Sequence, residues 1–150
     1  MDQLDQSYGS INAQCCCFNM RKAMRSVTQF YDHHLEQSGL RSTQFTILVA
    51  LSSTSAKTLK EIAESLVMDR TTLTRALQIL KKLRLISIAQ SSDKRLKKYI
   101  LTNEGRKIIA EVIPMWQVAQ AKVVNDLGKN CYQSIVDDLK KLLTITNNYY

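Results

Sequence analysis

Between Asp69 and Ala89 the spacing of apolar residues changes from three and four to two, and this change constrains the fold more than any other feature. Leu73, Leu77 and Leu80 recur at helical intervals and form one inward stripe, on a helix that the Asp69 carboxylate is placed to cap. The stretch Leu85-Ile86-Ser87-Ile88-Ala89 then alternates. A polar turn, Ser91-Ser92-Asp93-Lys94, separates it from Leu96-Lys97-Lys98-Tyr99-Ile100-Leu101, which is the pattern of a two-stranded hairpin.

Helical signals surround this unit. Thr58 and Glu61 stand three apart and can each satisfy the other's free backbone N–H, a capping box ahead of Ile62, Ala63 and Leu66. Ser42 is placed to cap an earlier helix carrying Phe45, Leu48 and Val49, which leads into the loop Ser52-Ser53-Thr54-Ser55. Before it, Met20, Met24, Val27, Tyr31, His34 and Leu35 share one stripe of a helix from about Ala13 to Gln37, ended by Ser38-Gly39. Thr102 caps a long helix in which Ile109, Val112, Ile113, Trp116 and Val123 recur, with Pro114 expected to kink it near residues 110–114. After Gly128 a last helix carries Ile135, Leu139, Leu142 and Leu143, whereas residues 1–13 offer little to bury and read as a flexible tail. Four Gly and one Pro in 150 residues are too few turn formers for an all-β chain. The expected fold is therefore mainly α with a small β-hairpin.

Charge is concentrated in the same unit. Between Arg70 and Lys98 nine basic residues face the single acid Asp93, an excess of +8, and the whole chain carries 21 basic and 13 acidic residues, also +8. All of the net charge thus falls on one helix and one hairpin. A short helix, a tight connection, a basic amphipathic helix and a basic hairpin, in that order, make a winged helix-turn-helix, whose second helix fits the roughly 12 Å wide major groove of duplex DNA. On this reading the helix around Leu59 to Leu66 supports, and the one from Arg70 to Arg84 reads. Arg70, Thr71, Thr72, Thr74 and Arg75 are candidates for base or adjacent phosphate contacts, because Arg can pair bidentately with guanine and Thr can touch a thymine methyl. Gln78 and Lys82 continue the free face. Lys94, Lys97 and Lys98 would neutralise phosphates, and Arg95 at the hairpin tip would reach the minor groove.

From about Cys15 to Leu143 the chain resembles the MarR family of transcriptional regulators. The stretches that carry the resemblance are Leu40-Arg41-Ser42-Thr43-Gln44-Phe45, Met68-Asp69-Arg70-Thr71-Thr72-Leu73-Thr74-Arg75, Asp93-Lys94-Arg95 and Leu101-Thr102-Asn103-Glu104-Gly105. The resemblance implies that Arg95 enters the minor groove with Asp93 orienting it. It also implies that residues 14–37 and 104–150 form dimerisation helices around a DNA-binding lobe at 40–103, with Leu127, Ile135, Leu139 and Leu142 in the interface. The first and last helices independently display more apolar stripe than a lone winged helix covers, so a homodimer on a pseudo-palindromic operator, its two reading helices about 34 Å apart, is expected.

Members of this family bind small aromatic effectors between the lobe and the dimerisation helices, which makes Met20, Met24, Phe30, Tyr31 and Trp116 the lining candidates. Others sense hydroperoxides through an N-terminal Cys paired with a distant one. Cys15, Cys16 or Cys17 with Cys131 is similar in outline, although Phe45 stands where those sensors carry a Tyr. The expected function is a sequence-specific repressor of transcription released by a small molecule, with a thiol-based redox repressor and a nonspecific architectural DNA-binding protein as alternatives.

Several other classes are not expected. The sequence has no glycine-rich phosphate loop, nucleophile elbow or zinc motif, so neither catalysis nor a cofactor is expected. His33 and His34 are adjacent and point about 100° apart on a helix, which is poor metal-ligand geometry. No run approaches the roughly 18 to 20 apolar residues of a membrane span, and the polar Met1–Gln14 segment lacks a signal-peptide core. Cytoplasmic residence, with the cysteines reduced, is the expectation.

Overall fold

The architecture follows from how seven segments share one set of apolar side chains. The computed structural model describes residues 9, 11–53, 55–89 and 96–147. Helix α1 (Cys16–Leu35) passes through a 3-10 turn (Glu36–Ser38) into α2 (Ser42–Ala50). Strand β1 (Lys57–Thr58) then leads directly into α3 (Leu59–Leu66), and α4 (Arg70–Lys82) follows after a three-residue turn. Strands β2 (Ile86–Ile88) and β3 (Lys98–Leu101) precede the long α5 (Asn103–Leu127) and α6 (Lys129–Asn147).

The local signals explain most boundaries. Thr58 accepts from Glu61 N (3.2 Å) while the Glu61 carboxylate accepts from Thr58 N, so the expected capping box starts α3. The Asp69 carboxylate accepts from Thr72 N at 2.8 Å and starts α4, and the Thr102 hydroxyl accepts from Gly105 N at 3.0 Å and starts α5. Helix α5 runs through Pro114 as one element, and Gly128, at φ +77°, separates it from α6.

Three details depart from the sequence expectation, each for a non-local reason. Ser42 does not cap α2. It is the first helical residue, and its N–H (2.6 Å) and hydroxyl (2.7 Å) both donate to Asp32, a carboxylate supplied by α1. Burial alone would raise the Asp32 pKa, but the two Ser42 hydrogen bonds and the Arg41 guanidinium at 3.3 Å outweigh it and hold the group below its ordinary value. The hairpin also gains a third strand. The order is β1-β3-β2, all antiparallel, with Ser87 opposite Ile100 and Thr58 opposite Lys98. Finally, residues 11–14 are helical but Cys15 is extended (ψ 113°), so the helix expected from about Ala13 is broken there and α1 begins at Cys16. The Asn19 amide bridges the break by donating to the carbonyls of Asn12, Ala13 and Cys15 at 3.0–3.3 Å.

The core lies where α1, α2, α3, α4 and the sheet meet. Leu35, Leu48, Leu51, Ile62, Leu73 and Leu80 are wholly buried, with Leu77, Ile86, Leu101 and Val112 closing around them. A fully buried Leu or Ile stabilises by about 1.5–3 kcal/mol, so this cluster fixes α4 against the lobe and leaves its other face free.

Candidate functional site

Helix α4 is presented by an abrupt turn. Val67 adopts the left-handed conformation (φ +51°, ψ 46°), and Met68 N donates to Ala63 O (2.9 Å) while Val67 N donates to Glu64 O (3.3 Å), which closes the α3 carbonyls. A left-handed β-branched residue costs roughly 1–2 kcal/mol, so a strained turn sets the angle between α3 and α4. At the other end Arg84 (φ +60°) turns the chain into β2, and its carbonyl accepts from the Thr102 hydroxyl at 2.7 Å. Both ends of α4 are therefore tied to the scaffold.

The Leu73, Leu77 and Leu80 stripe buries one side of α4, which leaves Arg70, Thr71, Thr72, Arg75, Gln78 and Lys82 exposed. Thr74 is half-buried, its hydroxyl donating to Arg70 O at 2.6 Å. None of the ion pairs among the described residues uses Arg70, Arg75, Lys81, Lys82 or Arg84. These cations face solvent without a carboxylate to satisfy them, which suits an anionic partner. Lys97 is exposed just before β3. Lys98 instead lies near Glu61, whose carboxyl is held low first by the Thr58 hydrogen bonds and further by Lys98 and Lys57. The tip residues Asp93, Lys94 and Arg95 lie outside the described residues.

A second feature sits behind this face. A cavity of about 720 Å³ opens among α1, α2 and α5, and of the five expected lining residues it takes Tyr31 and Trp116. Phe30 packs on His34 (centroids 4.3 Å apart) and edge-on to Tyr31, while Met20 and Met24 are exposed on α1, away from the cavity. Phe45, Val49, Ile109 and Ile113 also line it. Val49, Ile109 and Ile113 are not marked out in the sequence, since each fits an ordinary helical stripe, and Phe45 stands out there only as the residue in the place of the sensors' Tyr. From the cavity Tyr31 donates to Gln120 Oε1 (2.7 Å), and Gln120 Nε2 donates to the Tyr132 hydroxyl (2.8 Å), joining α1, α5 and α6.

Cys15 is half-buried, and Cys16, Cys17 and Cys131 are exposed; all four are free thiols. His34 Nδ1 lies 2.9 Å from Phe30 O, His33 is 3.7 Å from Glu36, and no group of three metal-ligating side chains occurs among the described residues. No described helix is long and apolar enough to cross a membrane.

Comparison with known proteins agrees with this geometry. Residues 38–96 match the sequence model of the MarR family. The transcriptional regulator MosR of M. tuberculosis, solved in complex with DNA, is similar at 32% identity and a TM-score of 0.81, over 90% of this chain and 98% of that one. BpsR of Bordetella bronchiseptica, whose DNA binding is regulated by 6-hydroxynicotinic acid, is similar at 21% identity and a TM-score of 0.78, over 88% and 96%. MepR of S. aureus, in a complex with DNA, is similar at 23% identity and a TM-score of 0.75, over 86% and 96%. None of the curated proteins compared is significantly similar.

Proposed function

Since the chain belongs to the MarR family of transcriptional regulators, we propose that it is a cytoplasmic, homodimeric repressor that binds a pseudo-palindromic duplex operator and is released by a small molecule. The observation that carries this reading is the face of α4: a helix held at both ends, with Arg70, Arg75, Gln78 and Lys82 exposed and no described carboxylate paired to its cations. Arg70 and Arg75 with Thr71, Thr72 and Thr74 read bases or fix the adjacent phosphates. Lys82, Lys94 and Lys97 supply sequence-independent attraction, and Arg95, oriented by Asp93, enters the minor groove.

Dimerisation is supported by the outer helices. Val118, Leu127, Ile135, Leu139, Leu143 and Ile145 are all exposed on α5 and α6, an apolar surface that one protomer leaves uncovered. In this division residues 40–103 are the DNA-binding lobe, and residues 14–37 and 104–150 join the protomers. Release is supported by the cavity's position, since three of its walls are α1, α2 and α5, and α2 packs on α3. A ligand that binds better when α2 is displaced lowers the population of the DNA-binding geometry by its differential affinity. BpsR, whose DNA binding is regulated by 6-hydroxynicotinic acid, is a precedent for control by a small molecule.

The test is a fluorescence-anisotropy titration with duplex from upstream of the chain's own gene, repeated with excess random duplex as competitor. Arg75→Ala is expected to lose about tenfold or more in affinity while remaining dimeric by sedimentation. Unchanged affinity in that variant, or displacement by random DNA as readily as by specific DNA, overturns sequence-specific recognition and leaves the architectural alternative.

A further inference from the structure

We infer that the cavity among α1, α2 and α5 selects an uncharged, largely apolar molecule and discriminates against carboxylates. This rests on the reading of the chain as an effector-responsive repressor and specifies the chemistry of the effector.

The volume, about 720 Å³, is that of a site for a drug-sized molecule. Val27, Leu35, Phe45, Val49, Ile109 and Ile113 make its apolar wall. What polarity it has comes from hydroxyl groups. Among the described lining residues none is Arg, Lys, His, Asp or Glu. A carboxylate placed here would be desolvated with no cation to receive it, which is unfavourable.

The one cationic feature nearby is the N-terminus of α2, where Ser42 and Thr43 line the cavity, and a helix N-terminus ordinarily favours an anion. That position is already taken. Asp32 receives both the N–H and the hydroxyl of Ser42, so a carboxylate held in its ionised form stands behind this wall and repels a second one. Arg41, the cation bound to Asp32, lines a separate groove on the other side of α1 and does not line the cavity.

Three of the lining hydroxyls have no proton to offer a carboxylate. Ser42 donates to Asp32 (2.7 Å), Thr46 donates to Ser42 O (2.9 Å), and Tyr31 donates to Gln120 (2.7 Å). Each of these three has committed its proton within the protein and keeps only acceptor lone pairs for a guest, whereas the lining hydroxyls of Thr28, Thr43 and Ser52 are not so engaged among the described residues. Tyr31 also stays a neutral phenol at physiological pH, because burial and the neighbouring Tyr132 push it above its ordinary value. A neutral phenol, alcohol or amide meets these acceptors; a carboxylate meets them with acceptors of its own.

Trp116, the single Trp of the chain, lines the cavity and reports on it directly. The experiment titrates the full-length protein at neutral pH with 4-phenylphenol, biphenyl-4-carboxylate and 4-methoxybiphenyl, following Trp116 emission, and measures anisotropy of bound operator DNA in parallel. Saturable quenching by 4-phenylphenol and by 4-methoxybiphenyl is expected, with the carboxylate at least about tenfold weaker and Val49→Phe weakening all binding by filling the wall. Equal or tighter binding of the carboxylate overturns the assignment and leaves the effector reading standing. Phenol binding unaffected by Val49→Phe also overturns it. No saturable Trp116 response to any probe sinks both. Selective phenol binding that leaves operator affinity unchanged upholds the cavity's preference and overturns the effector reading alone.

Discussion

Gly105 offers a test in which two physical effects make predictions of opposite sign. It lies in the first turn of α5, where a helix interior favours Ala over Gly by about 1 kcal/mol, so propensity alone makes Gly105→Ala stabilising. The surroundings oppose this. A Cβ at this position collides with the Leu85 carbonyl oxygen and comes within 3.0 Å of the Leu85 carbonyl carbon and 3.2 Å of Leu101 Cδ2. The obstacle is backbone, which cannot rotate aside, so α5 must lift from the sheet. Lifting strains the bond from Thr102 N to Leu85 O (3.1 Å) and that from the Thr102 hydroxyl to Arg84 O (2.7 Å). Overpacking costs about 1–3 kcal/mol and two weakened hydrogen bonds about 1 kcal/mol each, against the 1 kcal/mol gained. A net loss of about 2–4 kcal/mol is expected, or roughly 4–16 °C in Tm for a chain of this size. Urea denaturation followed by circular dichroism, at fixed protomer concentration because dimerisation shifts the midpoint, measures it. A variant as stable as the parent, or more so, refutes the close approach of α5 to Leu85.

Val67→Gly is expected to raise stability by about 0.5–1 kcal/mol, since it relieves left-handed strain in an exposed residue and gives back part of that gain as unfolded-state entropy; a fall in the denaturation midpoint contradicts the turn geometry. Asp32→Asn is expected to cost about 1–2 kcal/mol at pH 7, because an ionised cap for α2 is lost. The folded pKa of Asp32 is depressed, so its contribution is complete above its ordinary 3.8 and is lost as pH falls through the lower folded value. The stability gap between parent and variant should therefore close below about pH 4, and a gap that stays constant to pH 2 argues against the ionised pair. Lys82→Ala is expected to weaken binding to specific and random duplex alike and to reduce the slope of log affinity against log salt by about 1, whereas a loss confined to one operator sequence assigns it to base reading.

How much of this was legible in the sequence depends on the distance over which each signal acts. The caps Thr58, Asp69 and Thr102 were readable because donor and acceptor lie three residues apart, and the Leu73, Leu77 and Leu80 stripe because one helix contains it. Ser42 reads as a cap from its neighbours alone, because its partner, Asp32, belongs to another helix and outcompetes a local cap. Strand β1 is two residues long and exists only through its pairing with β3, some forty residues later, so no alternation announces it. Gly105 stood in a recognisable motif, but its reason, the Leu85 carbonyl, is a tertiary contact. The cavity was the least legible feature. Tyr31 and Trp116 read as aromatics on the right helices, but where α2 and α5 meet α1 is settled by packing: Met20 and Met24 share the Tyr31 stripe yet lie nearer the start of α1 than the lining residues, and Phe30 is not among them.

The central claim, that a dimer presents two copies of α4 to successive major grooves, is tested most directly by selecting bound sequences from a random duplex pool. Enrichment of an inverted repeat whose half-sites are centred about 10 bp apart is expected, with its most constrained positions lost in Arg70→Ala and Arg75→Ala. Recovery of unrelated sequences, or of a single half-site without a symmetric mate, contradicts it.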